Sequence, residues 1–142
     1  MRKITSKVDN RLLHIVSRPH YPAPDRVDIA PDNQILQLAA LRLNKGRKFR
    51  AHQHIWKDPP MPKVIAQESW VVMSGSVLVS FYDINQEFLE SHTLNTGDIS
   101  MTFEGGHSYE ILEDNTFIYE YKTGPYQGQA LDKVFIGENN ED

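Results

Sequence analysis

Short β-branched and aromatic runs recur along the chain, separated by clusters of Gly, Asn, Asp and Pro. This spacing predicts antiparallel strands joined by tight links. The predicted strands are residues 11–17, 35–43, 48–55, 69–73, 76–83, 88–94, 98–103, 108–113 and 116–122. Sustained helical periodicity is absent. Residues 35–43 are rich in Leu and Ala, which favour helix, but their short length and the stop at Gly46 argue for a strand. The joints Asn44-Lys45-Gly46, Ser74-Gly75, Asn95-Thr96-Gly97-Asp98, Gly105-Gly106 and Asp114-Asn115 offer residues that tolerate positive φ. Many strands with short links predict an all-β sandwich or barrel.

Within this pattern, residues 1–34 read as an N-terminal arm and first strand, with Pro22, Pro24 and Pro31 keeping 17–32 extended. Residues 35–136 form the barrel, and 137–142 an acidic mobile tail. The segment Lys57-Asp58-Pro59-Pro60-Met61-Pro62 is a stiff loop.

Composition narrows the chemistry. A chain of 142 residues suits one domain, and its formal charge of -4 with no basic stripe argues against a nucleic-acid partner. No run of about 18 apolar residues suggests a membrane span, and a cytoplasmic protein is expected. The absence of cysteine excludes disulfides, thiol nucleophiles and thiolate metal sites, so a metal here would need imidazole, carboxylate or water.

In an extended strand alternate side chains share a face, so His52 and His54 project together. Two such histidines are as often a solvated strand face as a metal clip; the surrounding spacing adds weight. Five residues lie between Gly46 and His52, and six between Glu68 and Gly75. This resembles the first cupin motif, G-x5-H-x-H followed by E-x6-G. Gly97-Asp98 and then Phe103-Glu104-Gly105-Gly106-His107 are similar to the second, G-D-x4-P-x-G-x2-H-x3-N. The chain departs from the pattern in three ways. Thirteen residues separate His54 from Glu68, where three or four are usual; Phe103 replaces Pro; and the second motif is one residue short, with Ile111 at its final Asn. A turn or bulge at Gly105-Gly106 would restore the direction of His107.

The resemblance implies a cupin double-stranded β-helix, or jelly roll, holding a divalent transition metal on His52, His54, Glu68 and His107. Iron, manganese, zinc, nickel and copper all suit three imidazoles and a carboxylate, with positions left open for a small-molecule ligand. It also implies a homodimer. The whole chain looks like small cupins associated with bacterial surface-polysaccharide biosynthesis. This suggests action on a carbohydrate or other small oxygenated metabolite, such as sugar isomerisation or epimerisation. A metal-dependent dioxygenase, a non-catalytic sugar-binding module and a degenerate barrel that binds nothing stay open as alternatives.

Other residues are weighed on strand parity. Arg50 shares the parity of the two histidines and either pairs with an anionic group of the ligand or sits at the rim in water. Tyr109 shares the face of His107 and is a candidate proton donor, or else a core tyrosine. Trp70, Tyr82 and Gln37 are candidate ligand contacts, with packing the simpler role for Trp70. Glu110 faces away from His107 and suits an ion pair or a dimer contact. His14, His20 and His92 lack partner spacing, and Tyr119, Tyr121 and Tyr126 suggest an aromatic strand at an interface.

Overall fold

A computed structural model describes residues 2–10, 12–16, 26–57 and 64–137. It is built almost entirely of antiparallel strands. β1 (Arg2–Thr5) and β2 (Leu12–Val16) pair as a separate hairpin, so the first predicted strand acquires a partner that the sequence pattern did not reveal. β3 (Arg26–Asp28), β4 (Leu36–Leu43), β5 (Lys48–His54), β6 (Trp56–Lys57) and β7 (Val64–Ile65) follow. Next come β8 (Glu68–Ser74), β9 (Ser76–Tyr82), β10 (Phe88–Asn95), β11 (Ile99–Thr102), β12 (Gly106–Ile111) and β13 (Thr116–Thr123). One 3-10 turn, Gln129–Leu131, leads into β14 (Lys133–Phe135).

Two five-stranded sheets carry the body, in the orders β10-β9-β12-β5-β14 and β11-β8-β13-β4-β3. Neighbours in each sheet are mostly distant in sequence, as β12 between β9 and β5 shows, which is the interleaving of a jelly roll rather than a meander. Alternation along the strands sends one side chain in two to the space between the sheets. Leu41, Val72, Val77, Val79, Ile111 and Ile118 are fully buried there. Trp70 and Tyr109 stack in the same core, with ring centroids 3.8 Å apart and planes 4° apart.

The strand expected at 35–43 is β4, beginning at Leu36, and it pairs with both β13 and β3. The short strands β3 and β14 were not anticipated, since three residues carry no readable periodicity. β3 belongs to the second sheet, so part of the expected N-terminal arm is a strand of the body. The long stretch between His54 and Glu68 is closed by the two-residue ladder β6–β7, which pairs Trp56 with Ile65 and Lys57 with Val64 and returns the chain to β8. The prolines at 59, 60 and 62, His20, and the tail beyond Gly137 lie outside the described residues.

Candidate metal centre

His52 and His54 alternate along β5, Glu68 opens β8, and His107 follows Gly106 at the start of β12. All four are buried. One ligand atom from each lies within 4.8 Å of those from the other three. His107 pairs across the ladder with His52, and the three imidazole centroids lie 4.6 to 5.6 Å apart.

The Gly-Gly pair supports this convergence. Gly105 has φ +81, a left-handed value that favours glycine, and a Cβ there would lie 2.5 Å from the Tyr82 carbonyl oxygen. A Cβ at Gly106 would press on the Ile136 side chain, which would have to shift, and would lie 3.2 Å from the His52 carbonyl oxygen. The backbone therefore turns tightly enough to bring His107 inward although the motif is one residue short.

Outer groups orient all three rings. His52 Nδ1 donates to the Arg50 carbonyl at 2.8 Å, which leaves Nε2 as a lone-pair acceptor 3.2 Å from Lys133 Nζ. His54 Nδ1 donates to the backbone oxygen of Asp132 and also lies 3.2 Å from its carboxylate Oδ2. His107 Nδ1 bonds Thr102 Oγ1 at 3.0 Å. The Nε2 atoms of His54 and His107 each lie 3.3 Å from a different oxygen of Glu68. Among the described residues His107 Nε2 has no hydrogen-bond partner. Trp70 Nε1 donates to Glu68 Oε1 at 3.0 Å and fixes the carboxylate.

The electrostatics fit the same picture. Burial drives the His52 pKa down to about 3, aided by the nearby His107 and Lys133. Burial alone would lower His54 as well, but its bonds to Asp132 and Glu68 prevail and raise it. Burial alone would raise Glu68, yet His107 and His54 hold it well below the usual carboxylate range. Asp132, also buried, is likewise held low by His54 and Lys122. Burial lowers Lys133.

This donor set fits a divalent transition metal. It is buried, mixed in nitrogen and oxygen, and has an imidazole nitrogen with no hydrogen-bond partner among the described residues. Each ring is tied through Nδ1, the usual support for an imidazole that ligates through its other nitrogen. Beside it a cavity of about 290 Å³ is bounded in part by His52, Glu68, Trp70, Lys122 and Lys133.

The remaining expected site residues separate. Gln37 lines the cavity, with its amide donating to the carbonyls of Pro31 and Gln34 at 2.9 and 2.7 Å. Trp70 and Tyr109 form one wall. The Tyr109 hydroxyl bonds Ser100 Oγ at 3.0 Å, and burial pushes its pKa above the ordinary phenol value.

Arg50 does not line the cavity as its parity suggested. The β12–β5 register shifts between His107 and Tyr109, so that two steps on β12 match three on β5, and Phe49 turns inward. Arg50 is exposed and lies over the Phe135 ring at 4.6 Å. Tyr82 also points away from the cavity, because Val77 and Val79 occupy the inward positions of β9; its ring meets Phe88 on the outer face. Glu110 forms the expected ion pair, with Lys48 at 3.2 Å. His92 is half-exposed beside Glu90, and His14 lies in β2. Tyr126 lines the cavity, beneath Lys122 Nζ at 4.5 Å.

Sequence reasoning missed Asp132, Lys122, Lys133 and Arg26. Arg26 reaches from β3 to Glu120 at 2.7 Å, and Lys122 bonds Asp132 at 3.2 Å. No local motif marks any of them. The nearest signal is the acidic-basic pair Asp132-Lys133 within an otherwise apolar stretch.

The interleaved sheets, with the cluster between them, form a double-stranded β-helix. Solved structures share this fold. An uncharacterized conserved protein with a double-stranded β-helix domain from Klebsiella pneumoniae aligns over 95% of this chain and 98% of its own, at 15% identity and TM-score 0.61. KdgF from a Halomonas species aligns over 75% of this chain and 82% of its own, at 18% identity and TM-score 0.56. The capsular polysaccharide assembling protein CapF of Staphylococcus aureus aligns over 78% of this chain at 15% identity and TM-score 0.63. The match spans only 29% of CapF. No family model matches the sequence, and no curated protein does. Among the described residues no helix is long and apolar enough to cross a membrane.

Proposed function

We propose that this protein binds a divalent transition metal on His52, His54, Glu68 and His107 and uses the adjoining cavity to act on a carbohydrate or other small oxygenated metabolite. The observation that carries this reading is the convergence of three imidazoles, each tied outward through Nδ1, and one carboxylate, within 4.8 Å. A bound ion would supply Lewis acidity to a carbonyl or hydroxyl oxygen. The chain's own part is to orient the ligand between the Trp70–Tyr109 wall and the polar groups of Gln37, Lys122 and Lys133, and to shield it from water. Sugar isomerisation or epimerisation is the reaction class this reading favours, in the setting of surface-polysaccharide synthesis suggested by the sequence resemblance and by the likeness to CapF.

One observation favours a second reading, a binding module without chemistry. The phenol put forward as proton donor is committed to Ser100. A homodimer also belongs to the proposal, supported by exposed Phe88, Leu89, Ile99, Met101 and Phe103 on or beside the edge strands β10 and β11. A cytoplasmic location is part of the same reading.

The test is metal analysis of protein purified without added metal, together with His52→Ala and His54→Ala variants. Stoichiometric metal, lost in both variants while the fold persists, supports the metal site. A crystal structure of the loaded protein should then show contacts of about 2.0–2.2 Å to nitrogen and oxygen. A ligand held equally well with and without metal favours the module.

A further inference from the structure

Three cationic side chains reach the cavity, and they differ in what neutralises them. The Arg26 guanidinium is held between Asp28 at 2.8 Å and Glu120 at 2.7 Å. Lys122 Nζ is held by Asp132 at 3.2 Å. Lys133 Nζ has no carboxylate within ion-pair distance among the described residues; its hydrogen-bond partner is His52 Nε2 at 3.2 Å.

That bond uses the lone pair the metal site needs. His52 Nδ1 is already a donor to the Arg50 carbonyl, so Nε2 has one lone pair, and it serves either Lys133 or an ion. When an ion takes it, Lys133 loses its partner and remains at the cavity wall beside added positive charge. Glu68 is the carboxylate of the ligand set, and its charge offsets only part of a dication. The described carboxylates nearest the other cations are already paired. A cationic group left at the wall of a largely enclosed site is costly without an anion facing it.

We propose that the cavity takes a small carboxylate, whose charge is met by Lys133 once His52 Nε2 is committed to an ion. This rests on the metal-site reading above and adds the substrate class: an acid, such as a hydroxy or sugar acid, rather than a neutral sugar. Metal loading and anion binding are then coupled, each favouring the other through one lysine.

The test uses glycolate and its neutral counterpart ethylene glycol. The protein is first titrated with Co2+ alone by calorimetry. The loaded protein is then titrated with each probe, following the visible Co2+ spectrum and the heat. Expected is saturable glycolate binding with no matching response to ethylene glycol. In Lys133→Met, glycolate binding should weaken about tenfold or more, the loss of one charge-assisted hydrogen bond, while Co2+ stoichiometry is retained. Lys133→Arg should recover part of it. Absence of Co2+ binding by the wild type would sink the metal site and this inference together. Normal Co2+ binding with equal response to the two probes, with no response to either, or with glycolate held as tightly by Lys133→Met, overturns this inference alone.

Discussion

His54 reaches Asp132 across seventy-eight positions of sequence, its Nδ1 bonding the Asp132 backbone oxygen and lying 3.2 Å from the carboxylate. One residue thus orients a ligand ring with both its main chain and its side chain. On the opposite side of the ring, Nε2 faces Glu68 at 3.3 Å. Both nitrogens therefore have acceptors, which is the arrangement of an imidazolium held between two carboxylates.

From this geometry, metal binding must displace a proton. Because His54 is raised above the ordinary value of 6.5, it still carries its second proton at pH 6.5 in the metal-free protein. Calorimetric metal titrations in buffers of different ionisation enthalpy should show release of about one proton per ion at that pH, since an imidazole must be neutral to ligate. Release should vanish as pH rises through the raised value. No release at pH 6.5 would contradict the assignment.

Asp132→Asn should leave the four ligands in place but weaken their support. Loss of a partner to a ligating histidine commonly costs about 10–100-fold in metal affinity. A competition titration against a chromophoric chelator measures this. The same variant leaves Lys122 without its carboxylate, so a lowered melting temperature is also expected.

The metal-free protein should lose stability on acidification, beginning well above the carboxylate range. His52 is lowered to about 3 in the fold against 6.5 unfolded, so below pH 6.5 the unfolded chain takes up a proton the fold refuses. His54, with its raised value, already contributes fully below 6.5 and adds no slope there. Glu68 and Asp132, both lowered, add to the loss only as their ordinary values of 4.5 and 3.8 are approached. Between pH 6.5 and 4.5 the loss attributable to His52 should reach about 2 kcal/mol, at roughly 1.4 kcal/mol per pKa unit. Urea unfolding with chelator present, at three pH values in this window, should show that slope in the wild type. In His52→Asn it should be flattened.

Gly105→Ala tests the turn that aims His107. A Cβ at that position meets the Tyr82 carbonyl on a backbone of φ +81, so a cost of about 1–3 kcal/mol is expected. Metal affinity should fall beyond what the stability loss explains, because His107 moves with the strand. Unchanged affinity would mean that His107 is placed by its own ladder rather than by the turn.

What the sequence disclosed and what it hid divide along physical lines. His52 and His54 were legible because alternation is a property of any extended strand. Glu68 remained legible despite the long insertion, because residues 68–75 still read as a strand closed by Gly75; the β6–β7 pair is what returns the chain to it. Of the two roles open to Arg50 the structure gives the exposed one, for the register shift opposite His107 and Tyr109 changes parity within a single strand. Tyr82 was misread because nothing local says which of two mixed faces turns inward. Asp132 and Lys133 were hidden: one ends the 3-10 turn and the other opens β14, three residues long, whose meaning comes only from its position beside β5.

That final strand lies at the edge of its sheet, with Lys133 opposite His54 and Phe135 opposite His52. The lock on one ring and the cation beside the other arrive with this strand and the turn before it. The four clustered side chains and the groups that tune them therefore come from different parts of the chain, the former from the long central strands and the latter from its last turn and strand.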